Sequence, residues 1–258
     1  MEQLRRVQPD VLALQDTGAR DRQLGALRRL LRQGENERVE TSLMPAHTAD
    51  TNTVIGGLAL LLRGDTRRRL MRRLPDPRGW HRFDAVEIRG RQKKLIVATS
   101  YLPSPTGSLR QEMHEGESLA AVLTRLQDVV LQAQDDDGAE GRRKRRKRLR
   151  AGKLRKIEDK HMQRPESLVL DDLADMLHKE AQDPNTTIIV LGDFNIAAGA
   201  GGEAQQPVRD FKRDLRLVEV DEGGQVPTTY SRRMRADGLE GGTRIDRAFV
   251  SAHSASAV

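Results

Sequence analysis

The sequence predicts a mixed α/β fold in which two β-sheets pack face to face and helices cover them. Apolar runs of strand length recur along the 258 residues, and helical patterns separate them. The run TTIIVLGDFN (186–195) has no polar alternation before its end, which is typical of a strand covered on both faces. The runs FDAVEIRG (83–90) and KKLIVATSYLP (93–103) are joined by a polar turn, which predicts a hairpin.

Further apolar segments complete the two predicted sheets. Four more strands are expected in DVLALQD (10–16), GGLALLLRG (56–64), LRLVEV (215–220) and TRIDRAFVS (243–251). Two helices are expected over 108–134 and 166–182, and Pro165 is suited to the start of the second. The glycine-rich stretch AAGAGGEAQQP (197–207) lacks a following Gly-Lys-Ser/Thr and is interpreted as a loop, not a phosphate loop.

Composition limits the class of protein. The chain has the length of one α/β domain, and we predict a single domain over 1–258. There is no cysteine, so disulfides and cysteine-ligated metal centres are excluded. No apolar run has the length of a membrane span, and the amino terminus lacks the apolar core of a secretory signal. We expect no membrane partner and an intracellular protein, in the nucleus or a nucleic-acid-rich organelle or particle.

One segment carries the positive charge of the whole chain. The formal net charge is +7, from 45 basic and 38 acidic residues. Residues 142–156 hold eleven of the basic residues, and 45 − 11 = 34 against 38 leaves −4 elsewhere. This segment, within a low-complexity insertion at about 135–165, predicts nucleic-acid contact, DNA or RNA, or a nuclear-targeting tract. The alternative is a solvated insertion without a dedicated partner. The candidate contacts are Arg142, Arg143, Lys144, Arg145, Arg146, Lys147, Arg148, Arg150, Lys153, Arg155 and Lys156.

Polar side chains end four of the predicted strands, where a cleft between the sheets would lie. They are Asp16, Tyr101, the pair Asp193 and Asn195, and Asp246. Residues two apart on a strand face the same side, so we expect Asp193 and Asn195 to point together. The glycine at 192 would allow a close approach of backbones.

This set of groups suits phosphodiester hydrolysis. Mg²⁺ takes carboxylate oxygens, an amide holds a phosphate or water without adding charge, and a tyrosine hydroxyl donates to a phosphate oxygen. Each residue alone has an ordinary interpretation, since an aspartate at a strand end is more often a turn or cap. The four strand ends together favour a functional site.

In these motifs the chain resembles the endonuclease/exonuclease/phosphatase superfamily, which includes deoxyribonuclease I, apurinic-site endonucleases and the endonucleases of non-LTR retrotransposons. PDVLALQDT is similar to its segment ending Leu-Gln-Glu-Thr, and GGLALLLRG to its glycine-led second strand. VATSYLPSPTG resembles its Tyr-x-Pro strand end, and IIVLGDFNI matches its Gly-Asp-Phe-Asn motif. VPTTYSRR and GTRIDRAFVS resemble its late segments, and with YLPSP they look closest to retrotransposon endonucleases.

The resemblance implies a deoxyribonuclease I-like sandwich and a role for each strand-end residue. Asp193 and Asn195 would contact the scissile phosphate and the attacking water. Asp16 would hold Mg²⁺ (or Mn²⁺), Tyr101 would serve the phosphate, and Asp246 would orient the catalytic histidine. DNA would be the substrate.

Three departures from the family pattern predict weak or absent activity. The strand ending in Asn that precedes the Leu-Gln-Glu position is not found, nor is the closing Ser-Asp-His with its strand. Asp16 stands where the family has Glu, which shortens the metal ligand by about 1.3 Å. His253 is interpreted as a surface residue, and the other histidines show no ligand spacing.

Three functions remain open on the sequence. The first is a retrotransposon-type, metal-dependent endonuclease that nicks DNA. The second is a non-catalytic structural or RNA-binding protein that uses this fold inside a nucleic-acid-rich assembly. The third, ranked last because no membrane element is evident, is a branch that acts on inositol phosphates or lipids.

Overall fold

A computed structural model describes residues 9–15, 17–19, 21–32, 40–44, 47–48, 54–55, 57–77, 82–102, 164–196, 202–220, 231–234, 240–243 and 246–257. The helices are α1 (Leu24–Arg32), α2 (Gly64–Arg68), α3 (Pro165–Ala181) and α4 (Gln206–Leu215), with 3-10 turns at Asp21–Gln23, Gly202–Gln205 and Ala252–Ala257. The strands are β1 (Val11–Leu14), β2 (Glu40–Met44), β3 (His47–Thr48), β4 (Val54–Ile55), β5 (Leu58–Leu62), β6 (Leu70–Pro75), β7 (Phe83–Arg89), β8 (Lys94–Tyr101), β9 (Thr186–Asp193), β10 (Leu217–Glu219), β11 (Ser231–Met234), β12 (Glu240–Thr243) and β13 (Asp246–Ser251).

The strands form a six-stranded sheet and a three-stranded sheet, together with two small ladders. The larger sheet has the order β10-β13-β9-β8-β7-β6, and the smaller has the order β1-β5-β2. In the larger sheet β8 and β9 are parallel and the other pairs are antiparallel. The predicted mixed α/β sandwich is therefore confirmed, and so is the hairpin of β7 and β8.

One face of the larger sheet is covered by α3 and α4. Leu168, Leu173 and Leu177 of α3 are buried in this core, with Phe211 of α4. All four phenylalanines of the chain lie here, at 83, 194, 211 and 249. Phe194 and Phe249 make an edge-to-face contact with ring centroids 4.9 Å apart, a favoured aromatic geometry. The few aromatic residues of the sequence are thus concentrated in the helix-covered core.

The other face of the larger sheet packs against the smaller sheet. Leu60 and Leu62 of β5 lie against Val86, Ile88 and Val97. Because side chains alternate across a strand, the residues of β8 that share a face with Val97 also face this space. This alternation determines which strand-end side chains reach the rim between the two sheets.

Several elements differ from the sequence-based expectation. The predicted helix at 166–182 is confirmed as α3, with Pro165 in its first turn. The loop prediction for 197–207 is wrong at its end, where Gly202–Gln205 forms a 3-10 turn and α4 begins at Gln206. The helix predicted at 108–134 lies outside the described residues, as does the insertion except at its last positions. Within the described part, no helix is long and apolar enough to cross a membrane.

Glu166, in the first turn of α3, provides a pH-dependent test of this helix. It is 6% exposed, and burial raises the pKa of its carboxyl group above the ordinary value. The folded state therefore binds this proton more readily than the unfolded state, and stability falls as pH rises through the raised pKa. We expect Glu166→Gln to increase the free energy of unfolding at pH 7 and to leave it unchanged near pH 4, measured by urea unfolding.

Asp183 is a control with the opposite sign. Hydrogen bonds from the Asn185 amide and the Thr186 hydroxyl lower the pKa of its carboxyl group. Its contribution to stability is present above the ordinary aspartate pKa and is lost as pH falls. Asp183→Asn is thus expected to destabilise the protein at pH 7. If Glu166→Gln instead lowered the free energy of unfolding at pH 7, the favourable interactions of the Glu166 carboxylate would outweigh the cost of burying it.

Candidate active site

Three of the predicted site residues lie side by side at one edge of the larger sheet. The parallel pairing of β8 and β9 places Tyr101 opposite Asp193. The antiparallel pairing of β9 and β13 places Asp246 opposite Asp193. All three share the face that carries Leu191 and Val97, which is directed toward the smaller sheet. All are partly exposed at the rim.

Arg82 extends this arrangement by one strand and was missed in the sequence. Its carbonyl oxygen accepts a hydrogen bond from the Tyr101 amide at 2.8 Å. Its guanidinium carbon lies 5.4 Å from the centroid of the Tyr101 ring, within the range of a cation–π contact. Arg82, Tyr101, Asp193 and Asp246 are called the site row below. Only the position of Arg82 just before an apolar strand signalled it in the sequence.

The site row contains charges of both signs at a partly buried position. Arg82 is 4% exposed, while the two carboxylates are partly open to solvent. Directly opposite residues of neighbouring strands have Cα atoms about 4.5–5.5 Å apart, so Asp193 and Asp246 repel one another unless a cation lies near them. Positive charge at this rim lowers that repulsion, and the Arg82 guanidinium contributes one such charge within the site row.

Asn195 reaches the site by a turn and not by strand alternation. Strand β9 ends at Asp193, and Asn195 has a left-handed backbone with φ of 49°, which asparagine tolerates. Its amide donates to Asp193 Oδ1 at 2.9 Å, and its side-chain Nδ2 donates to the Leu102 carbonyl at 2.7 Å. The predicted reason for the common orientation of Asp193 and Asn195 was wrong, although the two residues are hydrogen-bonded to one another.

Asp16, the predicted metal ligand, lies outside the described residues, but its neighbours are placed. Gln15 Nε2 donates to Thr99 Oγ1 at 2.6 Å, and the Thr17 amide donates to the Gly57 carbonyl at 3.1 Å. Thr99 shares the face of Tyr101, two residues away on β8. The end of β1 is therefore held beside the site row. The predicted nucleic-acid contacts at 142–156 also lie outside the described residues.

His253 is far from the site row. It is exposed, and its Nε2 lies 3.0 Å from the Thr186 carbonyl oxygen, at the first residue of β9. Asp193 is the last residue of the same strand, seven residues from Thr186 and therefore about 23 Å away along the strand. No member of the site row is a histidine.

The described residues supply some, but not all, of the oxygen ligands that a divalent cation would need. No cluster of three or more carboxylates or histidines that could hold a metal ion is found among these residues. Asp193 and Asp246 supply two neighbouring carboxylates, the chemistry that Mg²⁺ prefers, and Mg²⁺ commonly needs only one or two with water completing its shell. The donor set therefore fits a hard divalent ion.

A buried ion pair fixes the strand that carries Asp246. The Arg247 guanidinium donates to both oxygens of Glu219, at 2.8 and 2.5 Å, and to Gln205 Oε1 at 3.0 Å. The side chains of Arg247 and Glu219 are 4% and 5% exposed. Since successive residues face opposite sides, this pair ties β13 to β10 behind Asp246.

A deoxyribonuclease I-like α/β sandwich is the class of fold that these sheets and the site row define. Residues 1–258 match the Endonuclease/Exonuclease/phosphatase family, and the chain belongs to this family. No curated protein sequence matches the chain.

One solved structure shows the same fold at low identity, and two further solved structures are similar to the chain over most of its length. The human Nocturnin catalytic domain with bound sulfate anion is 16% identical, with a TM-score of 0.53, over 98% of this chain and 72% of that chain. D. rerio TDP2 complexed with single strand DNA product is 14% identical, with a TM-score of 0.47, over 97% and 74%. The endonuclease/exonuclease/phosphatase family protein from Leptotrichia buccalis is 11% identical, with a TM-score of 0.47, over 97% and 79%.

Gly192 tests the close packing beneath the site row. A Cβ atom at this position would lie 2.0 Å from the Ser100 carbonyl oxygen of β8. We expect Gly192→Ala to lower the free energy of unfolding by about 1–3 kcal/mol or more, because a backbone atom must move. The measurement is equilibrium denaturation in urea.

Gly25 is the matched control, since a Cβ there meets open space within α1. Gly25→Ala is expected to stabilise by about 0.5–1 kcal/mol, as alanine does in a helix. If Gly192→Ala retained wild-type stability, the described approach of β8 and β9 at this residue would be incorrect.

Arg247→Met tests the buried ion pair. Removing one partner leaves the Glu219 charge buried, and we expect a loss of about 3–5 kcal/mol in the free energy of unfolding. Arg213→Met breaks an exposed pair with Asp210, 2.8 Å apart, and should cost about 0–1 kcal/mol. Equal losses in the two variants would mean that Arg247 adds nothing beyond an ordinary surface contact.

Proposed function

We propose that the chain is a divergent, divalent-metal-dependent phosphodiesterase domain of the retrotransposon-endonuclease type that nicks DNA with low efficiency. The observation that carries the proposal is the site row, in which Tyr101, Asp193 and Asp246 are adjacent on three neighbouring strands. The motifs YLPSP and RIDRAFVS support the retrotransposon type. A nuclear or nucleic-acid-rich location is proposed from the basic segment at 142–156.

Each residue has a proposed task in hydrolysis. A water oxygen attacks phosphorus, the bond from phosphorus to one ester oxygen breaks, and that oxygen leaves with a proton. Asp193 and Asn195 contact the phosphate and the attacking water, and their mutual hydrogen bond holds them together. The Tyr101 hydroxyl donates to a phosphate oxygen, and Arg82 stabilises the negative charge that develops nearby.

The metal would be held by Asp16, with the carboxylates of the site row beside it. A bound divalent cation neutralises phosphate charge and lowers the pKa of bound water. The chain's own contribution is a rim where two carboxylates and a buried arginine are already positioned by strand pairing.

Low efficiency follows from two features of the residues. His253 lies at the opposite end of β9 from Asp246, so it is not the histidine that Asp246 would orient in the family pattern. Loss of a general base typically costs about 10²–10⁴ in rate. Asp16 is also one methylene shorter than glutamate, and Mg²⁺ tolerates little deviation from octahedral geometry.

The position of His253 also favours a second candidate function. If no other group replaces the base, the fold acts as a non-catalytic scaffold that binds RNA or DNA through the basic segment at 142–156. The same site would then be a remnant of an active ancestor.

A plasmid-nicking assay with Mg²⁺ or Mn²⁺ separates these functions. We expect slow, metal-dependent conversion of supercoiled to open-circular DNA, abolished by EDTA and reduced by about 10² or more in Asp193→Ala. Asp214→Ala removes an exposed carboxylate on α4 and should leave the rate unchanged.

Two outcomes would change the conclusion. Nicking that persists in Asp193→Ala would remove the site row from catalysis. Absence of nicking by the wild type at all metal concentrations, with DNA binding retained, would establish the scaffold function instead.

A further inference from the structure

Arginines and lysines are concentrated on the outer edge of the larger sheet, away from the site row. The surface comprises residues 63–73, from α2 into the edge strand β6, and residues 89–94, which are the β7–β8 turn and the strand residue on each side of it. It is called the basic edge below. These two ranges contain ten basic residues and one acid, Asp65. A backbone hydrogen bond of 2.8 Å from the Arg89 amide to the Arg69 carbonyl joins them into one surface.

The inner side of the basic edge is neutralised by the protein itself. Arg72 forms ion pairs with Glu87 and with Glu180 of α3, and Lys94 pairs with Glu180 and more distantly with Asp183. Counting these three acids with Asp65 gives four against ten basic residues, a local charge of +6. These inner pairs attach β6 and the hairpin to the helix layer.

The outer side is exposed. Arg68, Arg89, Arg91 and Lys93 are all solvent-exposed, and the Arg68 side chain retains 80% of its accessible area despite a 3.6 Å contact with Asp65. Surface pairs of this kind contribute little, so these cations remain available to a polyanion. The positive charge of this surface is therefore directed outward.

We propose that the basic edge binds the phosphate backbone of double-stranded DNA outside the cleavage site. This inference deepens the proposed function by assigning it a long duplex substrate. Single-strand binding uses aromatic side chains on which bases stack, and neither range of the basic edge contains an aromatic residue. Arginine and lysine without aromatic residues suit sequence-independent contact with duplex phosphates.

The location of the basic edge sets the length of DNA involved. Lys94 begins β8 and Tyr101 ends it, a separation of seven residues or about 23 Å. Along duplex DNA, with about 3.4 Å between phosphates of one strand, this distance corresponds to about seven base pairs. A duplex bound at the site row must therefore extend at least that far to contact the hairpin.

A simpler explanation is that these charges only prevent edge-to-edge aggregation, since cations commonly protect edge strands. That explanation covers Arg72 and Arg73 on β6. It does not account for the cations in the hairpin turn and on α2, which lie off the edge strand. The hairpin cations therefore provide the test.

The experiment measures binding of a 30-base-pair DNA duplex to the full chain by fluorescence anisotropy, in EDTA, across a salt series. The variant is Arg89→Gln/Arg91→Gln/Lys93→Gln. The control is Arg209→Gln/Lys212→Gln/Arg213→Gln, which removes three charges from α4. Circular dichroism and the Tm check that both fold. Omitting metal separates this binding from the proposed cleavage, so a failed nicking assay does not decide the result.

We expect the hairpin variant to raise Kd on the order of tenfold near 0.1 M salt and to reduce the slope of log K against log salt by up to about 2.7, three times 0.9. The α4 control should stay near wild type. Equal changes in both variants would overturn the proposal. Unchanged DNA binding in the hairpin variant would also overturn it, and a simultaneous fall in affinity for poly-glutamate would assign the surface to an acidic protein.

Discussion

The parallel pairing of β8 with β9 is the constraint on which the site depends. Parallel strands end at the same edge of a sheet, so Tyr101 and Asp193 meet as the last residues of their strands. Their junction is tight, because Gly192 lies against the Ser100 carbonyl where no side chain fits. Parallel neighbours require a long connection, and residues 102–185, which include α3, provide it. The antiparallel β13 then begins where β9 ends and adds Asp246.

At the ends of β9 and β13, neighbouring residues face opposite sides of the sheet: one side carries the carboxylates of the site row and the other packs into the helix-covered core. Asp193 and Asp246 are directed toward the rim, while their neighbours Phe194 and Arg247 are buried on the helix side. Phe194 packs edge-to-face with Phe249, and the Arg247 guanidinium also lies 5.2 Å from the Phe249 ring centroid. Strand alternation therefore places a buried core residue next to each carboxylate of the site row. Rigid support of this kind is what a positioned catalytic group needs.

The fold was predictable where apolar periodicity is strong, as in β8, β9 and α3. It was not predictable for α2 and β6, because GDTRRRLMRR has the composition of a loop and forms a strand only by pairing with β7. The polar residues that end the strands could be predicted from the sequence. The orientation of Asn195 could not, because its left-handed backbone is held by contacts with Asp193 and Leu102. Arg82 was not predictable, because its place in the site row depends on the hydrogen bond that its carbonyl accepts from the Tyr101 amide.

The summed charge of the sequence does not reveal how the charged residues are distributed on the folded protein. Outside residues 142–156 the chain sums to −4, which suggests a mildly acidic body. The fold instead separates the signs, with two adjacent carboxylates at the rim and a +6 surface along the edge of the same sheet. A polyanion approaching the molecule is attracted to the edge and meets the carboxylates only where a cation or Arg82 offsets their repulsion. DNA affinity would thus depend on the basic edge and hydrolysis on the site row, which are different parts of one sheet. Substitutions in one part could then occur without loss of the other function.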